Sequence, residues 1–214
     1  MCEHLKKVIR AAPMVGVNVV NTFIGRDHTK CVADNLARVA GVWDPIVREA
    51  KAAGVRLGIE HCPMIFSDDE WPGGKNVAST PSVWRQLFRS FDEIAAGTVG
   101  LNLDPSHLIW QMIDYERVVY DFADRIFHVH AKDMRIDREQ LYQRGIMSIG
   151  MGWQIPRLPG LGEVNWAKFL GALYAVGYDY VCSIEHEDRA FEGEELLVKR
   201  GLLIARDVLS PYLK

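Results

Sequence analysis

Four short apolar stretches along the chain each end at an acidic or imidazole side chain in the same alternating phase. Side chains in a β-strand point to opposite faces in turn, so residues two apart share a face. In each stretch one face is apolar, and the polar residue at the carboxyl end lies on the other. The polar residues that end the stretches 55–60, 99–104, 126–130 and 180–185 are Glu60, Asp104, His130 and Glu185. This shared phase predicts four strand ends that meet at one site.

Helical patterns alternate with these strands. A further strand is expected at 15–24, and helices are expected at 34–53, 81–96, 115–122, 165–176 and 194–209. The order is therefore β then α, repeated five times, which suits parallel strands joined by helical crossovers. The structural alternative is a doubly wound sheet, whose strands are usually apolar on both faces. Here one face is polar or glycine-rich, so we predict an α/β fold of the (β/α)8 TIM-barrel type.

The chain is short for a whole barrel. A complete one needs about 250 residues, whereas this chain has 214 and shows about five βα units. We therefore expect residues 1–214 to form a single, incomplete barrel domain that lacks about three N-terminal units. Such a domain would expose strand edges at 15–24 and at the last strand, which favour association into a homo-oligomer.

Composition narrows the class of partner. The net charge is −3 and no basic block occurs, which argues against nucleic acid. No apolar run approaches the roughly 18 residues of a membrane span, and the first residues lack an apolar signal region. The four cysteines are scattered, as expected for reduced thiols in a cytoplasmic protein. We expect a small-molecule partner and neither a nucleic-acid nor a membrane partner.

Glu60, Asp104, His130 and Glu185 together form a hard oxygen and nitrogen donor set. That set suits Mn²⁺, with Mg²⁺, Co²⁺ or Zn²⁺ as alternatives, because closed zinc sites use more Cys and His. A divalent ion with open positions can bind a sugar carbonyl and the adjacent hydroxyl and stabilise an enediolate. Glu60 and Glu185 are then the natural acid–base pair. A single Glu at a strand end is usually a solvated loop residue, but four groups in one phase favour a shared site.

Other polar residues follow the same strand ends. The candidates for substrate binding are His107, Lys132, Arg135 and Arg157. His107 could instead cap a loop, and the three cations could be ordinary loop charges. His128 shares the inward phase of His130 one pleat deeper, and we interpret it as a packing or orienting residue. The next three residues after Glu185 are interpreted as parts of a charged loop and not as ligands, namely His186, Glu187 and Asp188.

Two long connections, 61–80 and 132–164, leave strand ends. Connections of this length are commonly lids or binding loops. Trp71 lies in the first connection and Trp153 in the second. Their rings could stack on the apolar face of a sugar or cover exposed core, and the sequence favours neither role.

Several motifs together carry a family resemblance. They are Gly58-Ile-Glu60-His-Cys-Pro63, Asn102-Leu-Asp104-Pro-Ser-His107, His128-Val-His130-Ala-Lys-Asp133, Pro159-Gly-Leu-Gly-Glu-Val-Asn-Trp166 and Ser183-Ile-Glu185-His-Glu-Asp188. With them the sequence resembles the xylose-isomerase-like TIM barrel superfamily, in its sugar phosphate isomerase and epimerase branch. The resemblance implies metal ligands at Glu60, Asp104, His130 and Glu185, an acid–base pair at Glu60 and Glu185, and a substrate-contacting histidine at His107. Members of the superfamily have further amino-terminal strands that help to line the sugar pocket.

The pattern and the resemblance favour a divalent-metal-dependent sugar isomerase or epimerase that moves a proton next to a carbonyl. A lyase of the inosose-dehydratase kind is an alternative, because it would use the same metal and base and then expel a β-hydroxyl. An apurinic-site endonuclease would need several zinc ions and a basic DNA-facing surface, which the acidic balance disfavours. An inactive fragment of the same fold is the remaining alternative.

Overall fold

The structure is a computed structural model that describes residues 2–65, 74–146 and 152–213. The α-helices are α1 (Cys2–Ala11), α2 (Val32–Ala52), α3 (Pro81–Ala95), α4 (Pro105–Ile109), α5 (Tyr115–Asp121), α6 (Arg138–Arg144), α7 (Trp166–Ala175) and α8 (Glu195–Leu209). The β-strands are β1 (Val19–Thr22), β2 (Arg56–Glu60), β3 (Val99–Leu103), β4 (Ile126–Ala131), β5 (Asp133–Ile136), β6 (Gln154–Arg157) and β7 (Cys182–Ile184). Within these described ranges, no helix is both long and apolar enough to cross a membrane.

The described residues divide into two compact units. Unit 1 contains residues 2–65, 74–103 and 125–128, which include β1, β2, β3, α1, α2 and α3. Unit 2 contains residues 104–124, 129–146 and 152–213. The strand β4 therefore begins in unit 1 and ends in unit 2.

The strands of unit 1 are parallel, as the β-then-α order predicts. Val20 lies beside Leu57, and Leu57 lies beside Val99. The strand β1 covers Val19–Thr22 and is shorter than the predicted strand at 15–24, whose first residue, Val15, belongs to a 3₁₀ turn at Ala12–Val15. That turn ends at Gly16, whose φ of 75° suits a residue without a Cβ.

Two long helices of unit 1 pack through aromatic side chains. The ring of Trp43 in α2 lies 5.9 Å from the ring of Phe91 in α3. Trp84, one turn from the start of α3, is fully buried, and its indole N–H donates to the carbonyl of Ala78 over 2.7 Å. Burying side chains of this size contributes about 1.5 to 3 kcal/mol each. Pro81 begins α3, where its missing N–H costs no helical hydrogen bond.

In unit 2 the end of β4 is parallel to β7. Val129 lies beside Cys182, and His130 lies beside Ser183. The backbone N–H of Glu185 continues this ladder by donating to the carbonyl of Ala131 over 3.2 Å. The ladder therefore holds the backbone of Glu185 close to that of His130, although the strand β7 itself ends at Ile184.

The connection 132–164 contains secondary structure that the sequence analysis missed. The strands β5 and β6 pair antiparallel, with α6 between them in the chain. Trp153 is only 3% exposed and belongs to the apolar cluster of this pair together with Met134 and Ile136. Its ring lies 6.3 Å from that of Trp110. Trp153 therefore covers core, and a sugar cannot stack on it in this arrangement. In the two long connections, residues 66–73 and 147–151 lie outside the described residues, so the prediction for Trp71 stays a prediction.

A buried carboxylate holds the segment that follows β6. Asp133 is fully buried, and its two oxygens accept four N–H groups at 2.8–3.0 Å. The donors are the backbone N–H groups of Met134, Gly160 and Val164 and the indole N–H of Trp166. A Cβ at Gly162 would overlap this carboxylate. The glycine-rich motif at 159–162 thus lets the backbone approach Asp133 closely.

Candidate metal and substrate site

The ammonium group of Lys132 is the centre of a charged cluster within unit 2. Its Nζ lies 3.2 Å from Asp104 Oδ2, 3.1 Å from Glu185 Oε2 and 3.1 Å from Glu187 Oε2. It also lies 3.3 Å from His107 Nε2. The Lys132 side chain is only 3% exposed. A buried ammonium is costly unless charged partners surround it, so these contacts stabilise its position.

Local structure explains how these side chains meet. Lys132 is the residue between β4 and β5, and it shares the strand phase of His130. Asp104 precedes α4 and caps it, because its Oδ1 accepts the backbone N–H of Ser106 over 2.8 Å. The cap directs one oxygen to the helix and leaves Oδ2 for the cluster. Glu185 and Glu187 follow the end of β7.

Glu185 has a second close partner in unit 2. His130 Nδ1 lies 3.0 Å from Glu185 Oε2, the same oxygen that contacts Lys132. Burial acts to raise the pKa of Glu185, but the hydrogen bond from His130 and the charge of Lys132 outweigh it and lower the pKa to about 2. The carboxylate is therefore ionised at neutral pH. It is a weak proton acceptor while both partners remain in place.

His107 lies against Asp104 in the same unit. Its Nε2 is 3.1 Å from Asp104 Oδ2, and the residue is 7% exposed. Burial, followed by the positive charge of Lys132, lowers the pKa of His107 well below its ordinary value. A neutral imidazole is the form that binds metals. Asp104 and His107 both belong to a group of side chains that could hold a metal ion. From the sequence, His107 was expected only as a substrate or loop contact, so its place in this group is a finding of the structure.

In unit 1, Glu60 ends β2 and is 5% exposed. The side-chain amide of Asn102 donates to Glu60 Oε2. The side-chain carbonyl oxygen of Asn102 lies 2.8 Å from His128 Nδ1. Because this oxygen can only accept a hydrogen bond, His128 carries a proton on Nδ1. This chain of hydrogen bonds fixes the Glu60 carboxylate, and His128 orients it through Asn102. Asn76 also donates to the backbone carbonyl of Glu60 over 2.9 Å.

The remaining sequence candidates have different surroundings. Arg157 Nε lies 3.2 Å from Asp188 Oδ2. Asp188 is 1% exposed and also accepts the backbone N–H groups of Leu158 and Ala190 at 3.1 and 3.0 Å. The interpretation of Asp188 as a loop charge is wrong, because a loop charge would be solvated and this carboxylate anchors two backbone segments. Arg135 lies on the exposed face of β5.

Unit 2 offers a divalent cation two predicted carboxylate ligands and one imidazole, namely Asp104, Glu185 and His130. The donor types fit a hard cation such as Mn²⁺. The two carboxylates also converge, because one oxygen of each lies within 3.2 Å of the same ammonium nitrogen. The residues present therefore fit a metal in donor chemistry, although the group of described side chains whose ligand atoms lie within 4.8 Å of one another includes Asp104 and His107 but neither His130 nor Glu185. The same two oxygens would have to exchange their contact with Lys132 for one with the metal.

A protein family and a curated protein are similar to this chain in sequence. The family described as "Xylose isomerase-like TIM barrel" matches residues 2–208. An uncharacterized protein of Bacillus subtilis (strain 168), YfiH, is 29% identical over 161 residues, which are 71% of this chain and 47% of that protein. The chain thus spans about half the length of this curated relative.

Solved structures match nearly the whole chain. A zinc-bound crystal structure of IOLI protein has a TM-score of 0.71 and 18% identity, with 99% of this chain and 70% of that chain covered. The crystal structure of a D-tagatose 3-epimerase-like protein has a TM-score of 0.67 and 20% identity, with 99% of this chain and 67% of that chain covered. At this identity the likeness shows the fold alone, and it confirms the predicted α/β, TIM-barrel class.

Proposed function

Because this chain belongs to the xylose isomerase-like TIM barrel family, we propose that it is a divalent-metal-dependent sugar isomerase or epimerase. The observation that carries the proposal is the cluster around Lys132, in which three carboxylates and a buried imidazole meet one buried ammonium. Buried ionisable groups in such numbers are typical of functional sites. The likeness to a D-tagatose 3-epimerase-like protein supports a sugar as the substrate.

The proposed metal ligands are Asp104, His130 and Glu185, with Glu60 as the fourth. The contacts of Glu185 with His130 and Lys132 support the three ligands of unit 2. Glu60 is included because it lies at the end of β2, as the other predicted ligands lie at strand ends. Mn²⁺ is the cation that we propose, and the zinc-bound relative makes Zn²⁺ the second choice. When bound, such an ion polarises a sugar carbonyl and stabilises the enediolate that forms from it.

The chain's own residues supply the proton transfers. Glu60 and Glu185 are proposed as the acid–base pair, one removing the proton on the carbon next to the carbonyl and the other returning a proton to the same intermediate. Asn102 donates to Glu60 and so holds its carboxylate in one orientation. Lys132 and His107 are proposed to donate to sugar oxygens. Arg135 and Arg157 are weaker candidates for substrate binding, since Arg157 already pairs with Asp188.

The test is exchange of substrate hydrogen with solvent. The chain is incubated in D₂O with MnCl₂ and a panel of ketoses and 3-keto-glycosides, and deuterium on the carbon next to the carbonyl is followed by NMR. Glu185→Gln is expected to lower the exchange rate by a factor of about 10² or more, the usual contribution of an acid–base group. Glu195→Gln is the matched control, because the Glu195 side chain is 81% exposed on α8.

Two results would contradict the proposal. An exchange rate in Glu185→Gln equal to that of the unmodified chain would remove Glu185 from the chemistry. Loss of water from the substrate, with a dehydrated product, would identify a lyase and not an isomerase or epimerase.

A further inference from the structure

Lys132 contacts the oxygens that the proposed metal would use. Asp104 Oδ2 and Glu185 Oε2 are the atoms within 3.2 Å of Lys132 Nζ. A divalent cation lies about 2.0 to 2.6 Å from its oxygen ligands. A metal and an ammonium between the same two oxygens would repel each other at close range, where little water screens them.

We propose that Lys132 and the divalent cation compete for Asp104 and Glu185, so that metal binding displaces the Lys132 ammonium from these carboxylates. The inference rests on the proposed function, because it takes Asp104 and Glu185 as metal ligands. It assigns Lys132 a role as a counter-ion that lowers the affinity of the site for metal and is released when the metal arrives.

Glu187 can remain the partner of the Lys132 ammonium after the metal displaces it. Glu187 Oε2 lies 3.1 Å from Lys132 Nζ, and the Glu187 side chain is 53% exposed. Asp104, by contrast, is fully buried. When Asp104 and Glu185 turn to the metal, Lys132 retains Glu187 as its partner. Movement toward Glu187 brings the ammonium nearer to solvent, where it can donate to a sugar oxygen.

The first experiment measures the dissociation constant of Mn²⁺ by calorimetric titration at one fixed pH. Lys132→Met removes the competing charge and keeps much of the side-chain volume, so Mn²⁺ is expected to bind about tenfold more tightly or better, within the usual range of coupling between two binding events. Lys132→Arg keeps the charge and is expected to bind within about threefold of the unmodified chain. Lys168→Met is the matched control, because that lysine side chain is 64% exposed and 3.7 Å from Glu116.

The outcomes separate this inference from the proposed function. Equal or weaker Mn²⁺ binding by Lys132→Met would overturn the competition, and so would equal tightening by Lys132→Arg. Glu185→Gln tests the site itself. If Glu185→Gln binds Mn²⁺ as the unmodified chain does, or if no variant binds Mn²⁺, the proposed metal site is wrong and the inference falls with it.

A second measurement needs no substitution and decides the question if Lys132→Met does not fold. Lys132 is acetylated with a water-soluble active ester in the unmodified chain, with and without saturating MnCl₂, and the modification is quantified by mass spectrometry. Its buried position predicts slow acetylation alone and at least about threefold faster acetylation with metal, since reactivity follows access and charge pairing. An unchanged or slower rate at Lys132, with Lys168 as the internal reference, would overturn the proposal.

Discussion

Replacing Asp133 by Asn is the most direct test of how unit 2 is held together. The substitution keeps the size of the side chain but converts one accepting oxygen into a donating NH₂ group. In the structure each oxygen accepts two N–H groups, with Met134 and Val164 on Oδ1 and Gly160 and Trp166 on Oδ2. Whichever way the new amide turns, two buried N–H groups will face an NH₂ group.

The expected cost follows from these contacts. A hydrogen bond to a charged group contributes about 1.5 to 3 kcal/mol, and a buried donor left without an acceptor costs a similar amount. Asp133 is fully buried, so water cannot replace the lost acceptor. Two such losses predict that Asp133→Asn lowers the free energy of unfolding by about 3 to 6 kcal/mol. Gly162→Ala should act through the same contact, because its Cβ would overlap the Asp133 carboxylate.

The assay is urea unfolding followed by tryptophan fluorescence. Asp207→Asn is the charge control, since the Asp207 side chain is 65% exposed and its ion pair with Arg206 lies at the surface. Gly171→Ala is the glycine control, because a Cβ there meets nothing within 4 Å, and in the helix α7 it should be neutral or slightly stabilising. If the free energy of unfolding of Asp133→Asn lies within about 1 kcal/mol of that of the unmodified chain, the four hydrogen bonds do not anchor this segment.

Two further predictions concern ionisation. Hydrogen bonds from Arg125 at 2.7 and 2.9 Å lower the pKa of Asp92 below its ordinary value of 3.8. The contact therefore stabilises the fold above pH 3.8, and this stabilisation is lost as the pH falls through the pKa of the folded state. Asp92→Asn should therefore lower the free energy of unfolding by about 1 kcal/mol at neutral pH and by progressively less in acid. Urea unfolding at neutral and at acidic pH measures this difference, and an equal cost at the two pH values would mean that the ion pair is inert. Burial raises the pKa of Cys182 to about 12, so iodoacetamide at pH 8 should modify it at least about a hundredfold more slowly than the exposed Cys31. Mass spectrometry measures the two rates, and equal rates would contradict the burial of the Cys182 thiol.

The strand ends could be predicted because their signal is local. A period of two in the sequence sets which face each side chain takes, and neighbouring residues alone carry that period. The structure accordingly ends β2 at Glu60 and places Asp104 directly after β3. His130 lies one residue before the end of β4, and Glu185 directly follows β7.

The pair of strands β5 and β6 escaped prediction because distant residues hold it. Each strand has four residues, and Pro156 interrupts the pattern of β6. The carboxylate that holds the following segment belongs to Asp133, whereas three of its four donors lie between Gly160 and Trp166. A local signal was present only for α6, which Asp137 caps through its contact with the N–H of Gln140.

The contacts of Lys132 show where alternation stops being informative. Its parity with His130 predicts the face that it takes, but its partners depend on how Asp104 and Glu185 are brought together by the fold. That assembly sets a charge balance that no single motif carries. Three carboxylates, those of Asp104, Glu185 and Glu187, face one ammonium, and the lowered pKa of His107 keeps that imidazole neutral. The three carboxylates outnumber the ammonium, and the proposed divalent cation would supply further positive charge. In our proposal the lysine then stays nearby, because its ammonium keeps the contact with Glu187.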